Sequence, residues 1–291
     1  MKSWLFVIIC LLVTPLTENR LDAQNEKAIK QESVPPGWHI FDSRGNDPAL
    51  ELTCRVHGSD RQDSWVVSPG DDTVIIKRWG QKPALNGGLS DGLVRVNGKA
   101  GWETEQVVAD GKLIGLDGGE FGGGLWFAPR GSSEQVQLSS ENVMAILPVS
   151  GGALILTEYF HYPHNSGKLY FASENSGGKW ALRLTVDLGA APVAAVREGP
   201  TSFIAVTADR ALRIDDSGNI QPLGTLPAYL RPNSVAIGKN GDIYIGMPFV
   251  VYRFRKTGKS YLPEALIPDS CNFLHRSAVD TDTFCSCNSD Q

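Results

Sequence analysis

A repeat limits what this chain can fold into. Four segments align: QVVADGKLIGL (106–116), NVMAILPVSGGALILT (142–157), PVAAVREGPTSFIAVT (192–207) and NSVAIGKNGDIYIGM (233–247). Each reads as a short apolar strand, a turn rich in Gly, Asp, Asn or Pro, and a second apolar strand. The equivalent residues Val108, Ile146, Val196 and Ile237 stand 38, 50 and 41 positions apart. A third strand follows each pair (GGLWFAPRG, GKLYFASEN, RALRIDDSG, VVYRFRKTG), and polar turns then lead towards a fourth, such as VQL after Ser132-Ser133. A four-stranded antiparallel unit every 40 or so residues has the interval of a β-propeller blade. The expectation is an all-β chain, a β-propeller of about five to six four-stranded blades. SWVVSPGDDTVIIKRW (64–79) with DGLVRVNGK (91–99) reads as a degenerate fifth blade, and residues 41–58 with the chain end as strands of a sixth.

The first residues give an address. Behind Lys2, the run Trp4–Val13 holds ten apolar residues, and a polar stretch ends at Leu21-Asp22-Ala23. This pattern is a secretory signal peptide over 1–23, cut after Ala23. Ten residues are half of the roughly 20 that a membrane-spanning helix needs, and no later run is longer, so no membrane span is expected. Residues 24–37 end in Pro-Pro-Gly and read as a flexible lead, leaving 38–291 as a single propeller domain with a Cys-containing C-terminal tail. The destination is periplasmic or extracellular, where Cys54, Cys271, Cys285 and Cys287 are expected as disulfides with three pairings open. A bridge from Cys54 to one of the other three closes a long loop and stabilises by roughly 4–5 kcal/mol in the chain-entropy model. A zinc cluster of Cys271, His275, Cys285 and Cys287 lacks the usual ligand intervals. The net charge is −5, with charges of both signs scattered, which leaves no footprint for nucleic acid. A monomer is expected.

Chemistry concentrates in two segments. LDGGEFGGGLWF (116–127) places five glycines around one carboxylate, and TEYFHYPHNSG (157–167) gathers aromatics and two histidines. Both connect second to third strands of adjacent blades, so Asp117, Glu120, Phe121, Glu158, Tyr159, His161, Tyr162 and His164 are expected together on one propeller face as ligand-binding residues. Glu120 reads either as a ligand contact or as a clasp accepting hydrogen bonds from its own glycine-rich turn. His161 and His164 read as a loop pair that meets a ligand or partner, or, with Glu158 or Glu120, a metal. The aromatic density favours recognition, because Tyr and Phe supply contact area at low entropy cost. No acidic spacing of a calcium loop, no phosphate-binding glycine pattern and no Gly-x-Ser-x-Gly elbow is present. Asp117, Glu120 and Glu158 leave carboxylate-driven glycoside hydrolysis open.

The order GGEFGGGLWF, SSENVMAIL, SGKLYF, over residues 100–220, resembles a group of uncharacterised exported bacterial β-propeller-like repeat proteins. That resemblance implies a fold and almost no activity. RPNSVAIGKNGDIYIG (231–246) and REGP (197–200) are similar to two steps of the gluconolactonase and regucalcin propeller family. This second resemblance implies a divalent cation held by Asn233 and Glu198, although the two stand 35 residues apart in successive units and the family's catalytic Asp has no counterpart. Apart from that cation, no cofactor is expected. The functional expectation is an exported, non-catalytic binding protein that recognises a protein or glycan partner through one propeller face. The alternatives are a metal-dependent hydrolase of lactonase type and an envelope inhibitor or immunity-type protein.

Overall fold

A computed structural model describes residues 34–41, 64–71, 73–79, 94–161, 164–227 and 230–269. The expected signal peptide, the four cysteines expected as disulfides and Tyr162 lie outside the described residues. The chain divides into two units, 1–36 and 37–291, and the second carries every strand described below.

Among the described residues the regular structure is β, with one turn of 3-10 helix. The first sheet holds β4 (Val94–Val96), β5 (Lys99–Val108), β6 (Gly111–Asp117), β7 (Gly124–Pro129) and β8 (Val136–Ser139) in that order. The second is the meander β9 (Asn142–Val149), β10 (Gly152–His161), β11 (His164–Glu174) and β12 (Trp180–Asp187). The third repeats it with β13 (Pro192–Gly199), β14 (Ser202–Thr207), β15 (Arg210–Asp215) and β16 (Ile220–Thr225). In the fourth, β17 (Ser234–Ile237), β18 (Ile243–Gly246), β19 (Val251–Thr257) and β20 (Ser260–Pro268) are extended by β1 (Trp38–Ile40), which pairs with β20. The strands β2 (Trp65–Ser68) and β3 (Ile75–Arg78) form a separate antiparallel pair.

Alternation along the second strand of each unit explains the stacking. In β10, Ala153 and Ile155 join Leu113, Leu125 and Phe127 of the first sheet, while Leu154 and Leu156 join Phe203, Ala205, Leu212 and Ile214 of the third. In β14, Ile204 and Val206 face the other way, into a layer with Val235, Ile243, Ile245 and Tyr252 of the fourth sheet. A strand buried on both faces needs a continuous apolar run, which is why ALIL and FIAV carry no polar alternation. Each such Leu, Ile or Phe contributes about 1.5–3 kcal/mol on burial, so the layers between sheets hold the domain together. The fourth strands β8, β12 and β16 hold no buried residue, whereas β20, covered by β1, is buried over Glu264–Pro268 and not at its start.

Two segments depart from the sequence reading. DGLVRVNGK does not join β2 and β3: Val94–Val96 folds back on β5 through Asn97-Gly98, both at positive φ (49° and 83°). Two successive left-handed residues make the tight hairpin turn that Asn-Gly favours, and this local pairing outcompetes a distant one. The segment EYFH is strand and not loop, since Tyr159 opposes Ser166, Phe160 opposes Asn165 and His161 opposes His164. At 10 and 11 residues β10 and β11 outrun the six of β14 and β15, so the second sheet carries a longer hairpin than the third.

Candidate functional site

The glycine-rich loop is built by close backbone approach. A Cβ on Gly118 would sit 2.1 Å from the Gly122 carbonyl oxygen, and one on Gly123 would meet Leu116 O at 2.0 Å and Asn142 Oδ1 at 2.7 Å. Gly119 and Gly122 adopt positive φ on either side of the 3-10 turn Gly119–Phe121. The clasp is supplied by Asp117 and Asn142: Gly119 N donates to Asp117 Oδ1 (2.8 Å), and the buried Asn142 amide accepts from Gly118 N (3.3 Å) and donates to Gly119 O (2.7 Å). Asn142 opens β9, so the second sheet fastens the loop of the first. Glu120 is left pointing outward, its side chain 54% exposed and 3.4 Å from His161 Nε2 on the long hairpin. Phe121 beside it is exposed.

Behind this rim lies a cleft of about 380 Å³, lined by Gly122, Ser140, Glu141, Asn142, Thr157, Glu158, Tyr159, Ser166, Gly167 and Lys168. Its two carboxylates are held differently. Glu141 accepts from Lys168 Nζ (2.5 Å) and from the Thr157 hydroxyl (2.9 Å). Those donors, with Tyr170, hold its carboxyl below the usual range against the effect of burial. Glu158 is pushed up to about 7, by burial first and then by the nearby charge of Asp117; Asn142 partly offsets the shift. Neither Asp117 nor Glu158 forms a salt bridge to a basic side chain among the described residues.

Six of the eight expected ligand-face residues therefore gather around one feature. Asp117 is near enough to Glu158 for its charge to act on it, Glu120 meets His161, and the Tyr159 and His164 rings lie 6.5 Å apart, although of the eight only Glu158 and Tyr159 line the cleft. Phe160, the neighbour of Tyr159, packs under the Arg231 guanidinium at 4.7 Å from its ring centroid. Sequence reasoning missed Asn142, Glu141 and Lys168. Asn142 had a signal, for the repeat places Asn233 at the same strand entrance, where its amide likewise holds a neighbour, Ser64 Oγ, at 3.1 Å. The Glu141–Lys168 pair spans 27 positions and leaves no local pattern.

Glu198 and Asn233 do not fit a shared cation. Both Glu198 oxygens are taken by Arg213 (2.7 and 2.6 Å), and Ser202 Oγ donates to the same carboxylate. Asn233 Oδ1 accepts from Ser234 Oγ at 2.7 Å. The two residues also occupy opposite ends of equivalent strands, Glu198 at the exit of β13 and Asn233 at the entrance to β17. No group of three or more His, Cys, Asp or Glu side chains arranged to hold a metal occurs among the described residues. No helix among them is long and apolar enough to cross a membrane.

No protein-family model matches the sequence, and no curated protein matches it. Solved structures give distant likenesses. The extracellular domain of a putative hybrid two component system from B. thetaiotaomicron aligns at 12% identity and a TM-score of 0.40, over 76% of this chain but 29% of that one. A protein of unknown function from Bacteroides caccae aligns at 11% and 0.32, covering 70% and 72%. A virginiamycin B lyase from Staphylococcus aureus aligns at 11% and 0.31, covering 80% and 88%. At TM-scores of 0.40 and below, these likenesses fix neither a common fold nor an activity.

Proposed function

We propose that this chain is an exported, non-catalytic binding protein that holds a saccharide in the cleft between the glycine-rich loop and the β10–β11 hairpin. Its sheets are the blades of a β-propeller, with β2 and β3 as inner strands of a fifth blade and β1 as an added outer strand on the last. The observation that carries the binding reading is the cleft itself, sized for a small polar ligand and lined by hydroxyl, amide, carboxyl and ammonium groups. Tyr159 in its wall and the exposed Phe121 near its rim offer flat apolar faces for sugar rings. The apolar run Trp4–Val13 behind Lys2 supports export.

Calorimetric titration of the purified protein with a panel of oligosaccharides tests this reading. Tyr159→Ala is expected to weaken the best ligand by about tenfold, or ~1.4 kcal/mol, with unchanged thermal unfolding. Absence of binding across the panel, or binding indifferent to Tyr159, rules it out. A protein partner, as for an envelope inhibitor, is favoured by a different observation: Tyr159, Phe160 and His161 stand exposed on the long hairpin. Under that reading Phe160→Ala abolishes capture of the partner and leaves saccharide titrations blank.

A further inference from the structure

We infer that the cleft takes a neutral sugar ring with equatorial hydroxyls, two neighbouring ones of which are read by the Glu141–Lys168 ion pair. This inference rests on the saccharide reading and names the class of sugar.

The ion pair is built into the cleft wall. Glu141 reaches in from the turn between β8 and β9, and Lys168 meets it from β11 at 2.5 Å. The Thr157 hydroxyl on β10 donates to the other carboxylate oxygen at 2.9 Å. A carboxylate has about four acceptor sites and an ammonium has three donors, so these bonds leave an acceptor and a donor side by side. Both side chains are part-buried, and hydrogen bonds to charged groups are worth more than those between neutral ones. Two hydroxyls on neighbouring ring carbons are separated by about one hydrogen-bond length, the spacing of this pair. One hydroxyl can therefore donate to Glu141 while its neighbour accepts from Lys168.

The long hairpin supplies an apolar surface on the same face. Thr157 opposes Lys168 and Tyr159 opposes Ser166 in the β10–β11 ladder, and residues two apart on a strand point the same way. All four line the cleft, which sets Tyr159 next to the Thr157–Lys168 pair. A ring with equatorial hydroxyls carries C–H bonds on its faces and polar groups at its edge. One face can lie on Tyr159 while the edge reaches the ion pair.

Charge argues against an acidic sugar. Lys168 is the one ammonium in the lining and is matched by Glu141, while a second carboxyl, Glu158, lies in the same wall. A sugar carboxylate would meet both glutamates with no cation left over among the lining residues, a juxtaposition that lowers affinity.

The test titrates wild-type protein at pH 7 by calorimetry with methyl β-glucoside, its 2-deoxy and 3-deoxy analogues, and methyl β-glucuronide. The glucoside has hydroxyls on three consecutive ring carbons; removing the middle one, in the 3-deoxy sugar, leaves no neighbouring pair, whereas the 2-deoxy sugar keeps one. The glucoside and the 2-deoxy sugar are expected to bind alike, and the 3-deoxy sugar and the glucuronide about tenfold more weakly, a difference of ~1.4 kcal/mol. Lys168→Met and Glu141→Gln, each confirmed folded by its thermal transition, are expected to bind the glucoside and the 3-deoxy sugar equally. Equal binding of those two sugars by wild type, tighter binding of the glucuronide, or a preference kept by both variants overturns the inference and leaves the saccharide reading standing. So does silence of all four sugars while a member of the oligosaccharide panel binds. If the panel is silent as well, both readings fall.

Discussion

Glu158 and Glu198 sit half-buried at strand ends of adjacent sheets, and the protein treats them in opposite ways. Glu198 is locked by the Arg213 guanidinium, Ser202 and Tyr261 into a closed polar knot, and Arg213 and Ser202, with the charge of Lys256, hold its carboxyl below the ordinary range despite burial. Glu158 faces another carboxyl and rises to about 7. Burial alone therefore does not mark a site. A carboxylate compensated from within belongs to the architecture, whereas one left without a cation beside a cleft is available to a ligand.

The comparison can be broken from either side. Arg213→Met should have the largest effect, a loss of about 2 kcal/mol at neutral pH in chemical denaturation, because it strands Glu198 without its cation. Since the folded Glu198 has a lowered pKa, this contribution is present above its unfolded value of 4.5 and fades as pH falls through the folded value. A loss indistinguishable from zero would remove Glu198 from the architecture. Asn142→Ala should cost about 1–2 kcal/mol, since it unfastens Gly118 and Gly119 together, and should speed amide exchange in the loop. Unchanged exchange there would mean that the glycine geometry holds without the clasp.

Glu158→Gln should run the other way. Its raised pKa gives stability that is complete below 4.5 and lost as pH rises through about 7, so the neutral amide should stabilise the protein at pH 8 and change nothing at pH 4. After allowance for solvent screening the gain is about 1 kcal/mol, read from denaturation midpoints at the two pH values. Glu198→Gln in the same experiment should destabilise at pH 8. The smallest effect is expected from His161→Ala, within about 0.5 kcal/mol, because its contact with Glu120 is exposed on both sides.

Much of the fold was legible because strands buried on both faces must be apolar throughout: ALIL, FIAV and IYIG announced themselves, and the turns between them carried Gly, Asn or Pro. Pairing partners were less legible. Val94–Val96 read as part of a blade with 64–79, whereas the Asn97-Gly98 turn folds it onto β5. The face where Asp117, Glu120, Glu158 and His161 gather followed from their common place in the repeat. Their roles did not, because Asn142 rather than Glu120 closes the loop with Asp117, and what distinguishes Glu158 from Glu198 is an arginine 15 positions from one and absent from the other.

Carbon-13 NMR titration of the side-chain carboxyls of Glu158 and Glu198 in one sample tests this contrast most directly. Glu158 is expected to titrate at about 7 and Glu198 below 4.5. If both titrate together near 4.5, the two carboxyls are held alike and the contrast between them falls.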